Sequence, residues 1–262
     1  MKILYFVLCA VYTALSYSEV LMVDPIEKGF LYSSDRTATF LWESKNAKVT
    51  LLFIPGGEGQ IHLNPDKKDL GGFYGATLKP LSDSNLTSGN FNVVVFDSPK
   101  MLPTSATYPG SRATADHLMR IESVVRYYTE KFHFPVWLMG HSNGAVSVTE
   151  FYKYLQKYKR ENLIAGVIYS SGRTGATFNS QTDLPILFLA HQQDGCAKSE
   201  PYASKVLFSE LKKTNPQKME YTLIMGGESQ SEDVCRSGYH MFYKASAEVY
   251  NAIDGFVTPL LR

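Results

Sequence analysis

The sequence predicts an α/β fold, a mostly parallel and doubly wound sheet flanked by helices, without a large cap domain. Short apolar runs alternate along the chain with amphipathic stretches. The runs are continuously apolar rather than alternating, as strands covered on both faces require. The 262 residues, 44% hydrophobic and 19% charged, suit one large domain. This alternation predicts βαβ units built into a single domain over residues 19–262.

Residues 1–18 have the pattern of a signal peptide. Met1 and Lys2 give a positive start, an apolar run extends over Ile3–Leu15, and Ser16 and Ser18 are small residues suited to cleavage. The alternative is a membrane anchor, but this run is shorter than the ~20 residues that span a bilayer. We therefore expect the protein to be exported, to the periplasm or the cell exterior, without stable membrane insertion.

Seven strands are predicted from the apolar runs. The first is expected to be antiparallel and the others parallel. They are Ala38–Trp42, Val49–Ile54, Phe91–Phe96, Val136–Met139, Leu163–Tyr169, Leu184–Ala190 and Met219–Met225.

Four helices are predicted between and after these strands. In the first, apolar residues such as Leu118, Ile121 and Val125 fall three or four apart and form one face. The third has Ser and Pro near its start, as helix N-termini often do, and is expected to bury Val206 and Leu207. The four are Ala113–Phe132, Asn143–Tyr158, Ser199–Lys213 and Ala245–Val257.

The segment Gly140–Gly144 has the form G-x-S-x-G, with Ser142 at its centre. An apolar strand leads into it and an amphipathic helix leads out, which is the context of a nucleophile elbow. In such an elbow the serine adopts a strained backbone conformation and its hydroxyl projects from the sheet. A glycine-rich turn without function is the alternative. The context favours Ser142 as a nucleophile.

A serine hydroxyl needs a base to remove its proton, and His240 is the best candidate. It lies in Gly238–Phe242, after the last strand and before the closing helix, which suits the order serine, acid, histidine. The other histidines come too early, precede their strand, belong to the elbow or precede the acid. They are His62, His117, His133, His141 and His191.

The third member of a catalytic triad is an acid that orients the imidazole. Asp194 follows the strand Leu184–Ala190, where this acid is expected. Three alternatives are weaker. Asp183 precedes that strand, Asp233 shares a loop with His240, and Asp97 ends an earlier strand.

The oxyanion of the transition state needs two backbone N–H donors. One is predicted to be Asn143, the residue after the nucleophile, and the other Gly57 or Glu58 in the glycine-rich loop Pro55–Gly59. The alternative for this loop is a plain turn. The following segment, Gly59–Asn90, predicts a long loop beside the site with at most a short helix near residues 76–81, suited to substrate contacts.

Removal of the signal peptide leaves two cysteines, Cys196 and Cys235. In an exported protein such a pair indicates one disulfide, and two buried free thiols are the alternative. Their spacing fits no zinc pattern, and no glycine motif indicates a nucleotide. The formal net charge is +1, and no basic stripe stands out along the sequence. We expect no metal, no cofactor and no nucleic-acid partner.

These motifs, in this order, resemble the α/β-hydrolase family over nearly the whole mature chain. A narrower likeness lies in His191–Cys196, Gly226-Gly227, Cys235 and Gly238–Phe242, which resemble exported bacterial serine hydrolases of the carboxylesterase and lipase type. In that group a disulfide joins the acid and histidine loops, which the likeness implies here. The chain departs from the commonest oxyanion pattern, because Pro55 stands where a histidine often precedes the glycines.

The resemblance implies a secreted carboxylesterase-like serine hydrolase (EC 3.1.1). About a dozen residues separate Ser170 from the next strand at Leu184, which leaves no room for the usual cap. An open site favours small acyl esters as the substrate. A serine peptidase or amidase on the same scaffold is one alternative, and a non-catalytic binding protein is another. The oligomeric state and the physiological substrate stay open.

Overall fold

The computed structural model describes residues 17–26, 35–103, 109–216, 218–230 and 233–261. The predicted signal peptide lies outside the described residues, apart from Tyr17 and Ser18, which begin the first strand. The described residues form an eight-stranded sheet with four α-helices packed on it. This confirms the predicted fold class.

The strands are β1 (Tyr17–Val23), β2 (Thr37–Glu43), β3 (Val49–Ile54), β4 (Phe91–Asp97), β5 (Val136–His141), β6 (Gly166–Ser170), β7 (Ile186–His191) and β8 (Met219–Ile224). The helices are α1 (Ala115–Phe132), α2 (Asn143–Lys157), α3 (Pro201–Thr214) and α4 (Ser246–Val257). The sheet order is β1-β2-β4-β3-β5-β6-β7-β8. Strand β2 is antiparallel to both of its neighbours, and the other pairs are parallel.

The sequence does not predict β1, which pairs with β2 in the register Ser18 opposite Trp42. Its side chains are mostly only half-buried because it lies at the edge of the sheet, so it lacks the continuous apolar run that marks the inner strands. Strand β6 begins at Gly166 rather than at Leu163, since Glu161–Leu163 forms a 3-10 turn instead.

The helices lie close to their predicted positions. Helix α1 begins at Ala115, where the hydroxyl of Thr114 accepts a hydrogen bond from the amide of His117. The prediction for Val206 in α3 was wrong, because this side chain is 43% exposed, while Leu207 is partly buried. Helix α3 covers the end of the sheet with a single stripe of residues, and Val206 lies off that stripe.

The core consists of two layers, one on each face of the sheet. Helices α1, α2 and α3 cover one face, with residues such as Val124 and Val148. Helix α4 and the segment that follows β3 cover the other, with Leu78, Val249 and Ile253. Strands β3 to β7 are buried at every residue, as their unbroken apolar runs predict.

The segment predicted as a long loop contains a π-helical turn, Tyr74–Leu78, followed by a 3-10 turn, Lys79–Ser82. The short helix expected near residues 76–81 is therefore confirmed. In parallel sheets the carboxyl ends of the strands form the usual binding edge. Here β3, β5, β6 and β7 are consecutive in the sheet and end at the same edge, at Ile54, His141, Ser170 and His191.

Candidate active site

Ser142 occupies the sharp turn between β5 and α2. Its φ of 55° and ψ of −121° are a conformation that non-glycine residues rarely adopt. The amide of Ser142 donates to the carbonyl oxygen of Ser170 at the end of β6 (3.0 Å), which ties the turn to the sheet. The side chain is partly exposed, whereas its neighbours His141 and Asn143 are buried. This is the geometry of a nucleophile elbow.

Close backbone approach explains the glycines of this turn. A Cβ atom on Gly140 would overlap the carbonyl oxygen of Gly144, and one on Gly144 would overlap the carbonyl oxygen of Ile54. On the facing loop, a Cβ atom on Gly56 would lie 2.9 Å from the Cβ of Ser142. Only glycine allows the loop after β3 to lie directly against the elbow.

His240 and Asp194 are in direct contact. Nδ1 of His240 lies 2.8 Å from Oδ2 of Asp194, and each side chain is only 1% exposed. The other carboxylate oxygen, Oδ1, accepts a hydrogen bond from the amide of Cys196 (2.9 Å). A carboxylate held this way keeps the proton of a neutral imidazole on Nδ1, which leaves Nε2 free to act as a base.

The alternative acids have other partners. The carboxylate of Asp97 accepts hydrogen bonds from the amides of Ile61 and Leu63, both at 2.7 Å, and so orders the long segment after β3. The side chain of Asp183 is 81% exposed and binds Lys218. The carboxylate of Asp233 accepts from the amide of Cys235 (3.1 Å), within its own loop.

Ser199 is a site residue that the sequence did not indicate. Its buried hydroxyl donates to Oδ2 of Asp194 (3.2 Å) and lies 3.1 Å from Nδ1 of His240. The sequence marks Ser199 only as the start of a helix. Nothing in the local pattern links it to a histidine 41 residues further along the chain.

Ser142 and His240 line the same cavity, but no hydrogen bond joins them. Nε2 of His240 is buried and has no hydrogen-bond partner among the described residues. In enzymes without substrate the bond between nucleophile and base is often long and tightens only when the substrate binds. The arrangement leaves Nε2 unpaired in a histidine that lines the same cavity as Ser142.

Two further histidines lie near this site: His141 packs against His240, and His191 packs against Tyr239 and Phe242. The ring of His141 lies 4.9 Å from that of His240, and burial, together with the nearby His240, holds the pKa of His141 well below its usual value. His191 accepts a hydrogen bond on Nδ1 from the amide of Gln193, so its Nε2 carries the proton that is donated to the carbonyl oxygen of Gly226. The ring of His141 is therefore neutral at neutral pH.

The predicted oxyanion donors surround the nucleophile. Asn143 is the first residue of α2, so its amide has no acceptor within the helix. No described residue accepts a hydrogen bond from the amides of Gly57 or Glu58, and both residues line the cavity with Ser142. The side-chain amide of Asn143 also donates to the carbonyl oxygen of Gly57 (3.1 Å), which holds the loop against the elbow.

The cavity at this edge of the sheet has a volume of about 300 Å³. One part of its wall is aromatic, where Phe53, Phe73 and Tyr74 pack against one another with ring centroids 5.6 to 6.2 Å apart. Burial, and to a lesser extent Asp97, raises the pKa of Tyr74 to about 12, so its hydroxyl stays protonated. The long segment after β3 thus supplies part of the lining, as predicted.

A second cavity of about 440 Å³ lies at the opposite edge of the sheet, where the strands begin. Its lining includes Lys48, Pro135 and Trp137, and none of the residues considered for the triad. Of these two cavities, the smaller is the one that Ser142 and His240 line.

Cys196 and Cys235 form a disulfide, with their Cα atoms 4.7 Å apart. Cys196 follows Asp194 by two residues and Cys235 precedes His240 by five. The bond therefore joins the acid loop to the histidine loop. Cys235 also lines the cavity.

In the part of the chain that the structure describes, no group of three or more His, Cys, Asp or Glu side chains is arranged to hold a metal ion. Within the same residues, no helix has the length and apolar character needed to cross a membrane.

No protein-family model matches the chain, and no curated protein sequence matches it. Solved structures do. An α/β serine hydrolase without a lid from Xanthomonas campestris is 13% identical, with a TM-score of 0.62 over 93% of this chain and 95% of that one. Dienelactone hydrolase from Anabaena variabilis is 12% identical, with a TM-score of 0.61 over 94% and 99%. The carboxylesterase EstE1, from a metagenomic library, is 10% identical, with a TM-score of 0.60 over 94% and 89%.

These likenesses extend over almost the full length of each chain. At such low identity they show the fold and not the activity. The protein has the α/β-hydrolase fold.

Proposed function

We propose that this protein is a serine hydrolase that cleaves small carboxylic esters (EC 3.1.1) through an acyl-enzyme on Ser142. The observation that carries the proposal is the strained elbow of Ser142, which opens on the same cavity as a histidine held by a buried carboxylate. Strained residues of this kind persist where the surrounding structure enforces them, and they cluster at active sites.

In the proposed reaction Oγ of Ser142 attacks the ester carbonyl while Nε2 of His240 takes its proton. Asp194 stabilises the imidazolium that forms. The amide of Asn143, with that of Gly57 or Glu58, donates hydrogen bonds to the oxyanion. His240 then returns the proton to the departing alcohol, and a water molecule activated by the same base releases the acid.

The substrate class follows from the size of the cavity and from the connection between β6 and β7. Residues 171–185 contain no helix or strand, so no cap is inserted there. A cavity of about 300 Å³ that opens directly to solvent suits short acyl groups better than long chains held under a lid.

The test combines labelling with a substrate panel. We expect a fluorophosphonate probe to label Ser142, and Ser142→Ala to fold normally while losing essentially all hydrolysis. On the wild type, short-chain aryl esters should react faster than long-chain esters, with no jump in rate on emulsions, and faster than matched anilides. A label on another serine would contradict the nucleophile assignment, and faster cleavage of the anilides would make the protein an amidase or peptidase.

We also propose that the protein is exported. The leader pattern of residues 1–18 supports this, and a disulfide is stable in an oxidising compartment. N-terminal sequencing of the protein recovered from outside the cytoplasm should begin at residue 17 or 19. Full-length protein found only in the cytoplasm would contradict export.

A further inference from the structure

Arg112 is a buried cation directly behind the loop after β3. It is 4% exposed and lies in the 3-10 turn Gly110–Ala113. Among the described residues, its guanidinium group donates hydrogen bonds to uncharged oxygens and forms no ion pair with a carboxylate. Burial of a charge without an opposite partner is costly, so the groups that do bind this guanidinium matter.

Those groups are oxygens of the loop and of α2. One guanidinium nitrogen, Nη2, donates to the carbonyl oxygens of Gly57 (3.0 Å) and Gly56 (3.3 Å). The other, Nη1, donates to Oγ of Ser147 (2.7 Å). Arg112 therefore joins the loop to the helix that follows the nucleophile.

The two carbonyl groups belong to the peptides whose N–H groups are those of Gly57 and Glu58. In a planar trans peptide the N–H points opposite to the C=O. Because Arg112 binds the carbonyl oxygens of both peptides, the N–H groups of Gly57 and Glu58 point away from the guanidinium group. Gly57 and Glu58 line the cavity that contains Ser142.

A second contact acts on the same peptide. The side chain of Asn143 donates to the carbonyl oxygen of Gly57 (3.1 Å) and accepts from Nη1 of Arg173 on its own oxygen (2.8 Å). A chain of hydrogen bonds that begins at a cation polarises each member in turn and strengthens the last N–H donor. Burial, with a contribution from Arg173, lowers the pKa of Arg112 to about 9, so its charge is kept at neutral pH.

We infer that Arg112 is the positioning residue of the oxyanion site: it fixes the two peptide planes after Gly56 and polarises the N–H groups that receive the oxyanion. The hydrogen bonds from Arg173 to Asn143 and from Asn143 to the carbonyl oxygen of Gly57 support the same peptide plane. The inference rests on the proposed function, since it needs an oxyanion to form at Ser142.

Variants of Arg112 test this with steady-state kinetics on a short aryl ester. Arg112→Met should lower kcat by about a hundredfold, comparable to the loss of one oxyanion donor, with KM changed by less than about threefold. Arg112→Lys should lie between Met and wild type, because an ammonium group keeps the charge but lacks the planar fork. Guanidinium at millimolar concentration should restore part of the activity of Arg112→Met and none of the activity of Ser142→Ala.

Arg120 provides the matched control. It is also a buried arginine, 3% exposed, but it lies on α1 and binds Asp116 of the same helix and the carbonyl oxygen of Asp35, just before β2. Arg120→Met should keep the wild-type kcat even if its thermal stability falls as much as that of Arg112→Met.

A second readout separates positioning from folding. Arg112→Met should bind a trifluoromethyl ketone, which forms an anionic adduct with the serine, more weakly by the same factor as kcat falls, while its affinity for the acid product changes little. If Arg112→Met does not fold, Arg112→Lys carries the test. The inference is overturned if the folded Arg112 variant keeps kcat within threefold, or binds ketone and product with equally reduced affinity. Failure of the proposed function is a different result, in which the wild type itself is neither labelled nor active.

Discussion

At the scale of single residues, the carboxylate of Asp194 is the group on which the proposed chemistry depends most. Both of its oxygens accept hydrogen bonds, from the amide of Cys196 on one side and from Ser199 and His240 on the other. An ionised carboxylate accepts from all three at once, whereas an amide in its place presents a donor on one side.

We therefore expect Asp194→Asn to lower kcat by orders of magnitude, because the amide favours the wrong imidazole tautomer. Asp233→Asn is the control, since its carboxylate is 56% exposed and binds within its own loop. It should have a mild effect. Kinetics on both variants, with circular dichroism to establish folding, check the ranking. A larger loss in Asp233→Asn would transfer the acid role to Asp233.

The sequence predicts the residues of the site that carry a motif or a position in the chain order. Ser142 lies in a five-residue pattern, and Asp194 and His240 each follow a predicted strand. Ser199 and Arg112 carry no such signal. Their contacts arise only when distant segments pack together, so the sequence marks Ser199 only as the start of a helix and gives no signal for Arg112.

At the scale of elements, the strands also divide into those with a local sequence signal and one whose position depends on tertiary packing. The inner strands are covered on both faces, which produces unbroken apolar runs and makes them easy to predict. Strand β1 at the edge is mostly half-buried, with the mixed residues Y-S-E-V-L-M-V, and its first two residues overlap the end of the leader pattern. Its pairing with β2 is decided by tertiary contact rather than by its own composition.

The loops that carry the acid and the histidine are joined by the disulfide, which leads to a prediction for the Cys196→Ala/Cys235→Ala double variant. Its free energy of unfolding should fall by up to about 4 kcal/mol, the loop-entropy value for a separation of 39 residues. Below its melting temperature kcat should also fall, because small displacements of catalytic groups are costly.

Urea unfolding and kinetics at low temperature measure the two effects separately. Full kcat in the folded double variant would mean that the disulfide stabilises the fold without positioning the site. Two free thiols in the unfolded, unreduced wild type would show that the pair is not bonded.

At the scale of the whole molecule, the two core layers keep two histidines neutral. Burial, with a contribution from Arg112, lowers the pKa of His117 to about 3, and burial also lowers that of His141. In the unfolded chain a histidine has a pKa near 6.5. Between these values the unfolded chain binds protons that the folded protein does not, so stability is lost as the pH falls below about 6.5.

The expected loss due to His117 is about 2 kcal/mol between pH 7 and pH 5, at about 1.4 kcal/mol per pH unit below pH 6.5. His117→Gln removes this titration, and its side-chain oxygen can accept a hydrogen bond from Ser147, the residue that contacts Nε2 of His117. Urea unfolding at the two pH values should show a smaller loss in this variant than in the wild type. Equal losses in both proteins would show that His117 is protonated in the folded state.

The disulfide also changes the covalent topology of the protein, because it closes residues 196–235 into a ring that contains α3 and β8. A protease that cuts one bond inside this ring produces no separate fragments. The nicked protein gains the mass of one water molecule and migrates as a single species until it is reduced. Asp194 and His240 lie just outside the two ends of the ring, so such a cut leaves both on one covalent molecule with Ser142. A cut between Ser142 and Asp194 instead leaves Ser142 on a different covalent fragment from Asp194 and His240.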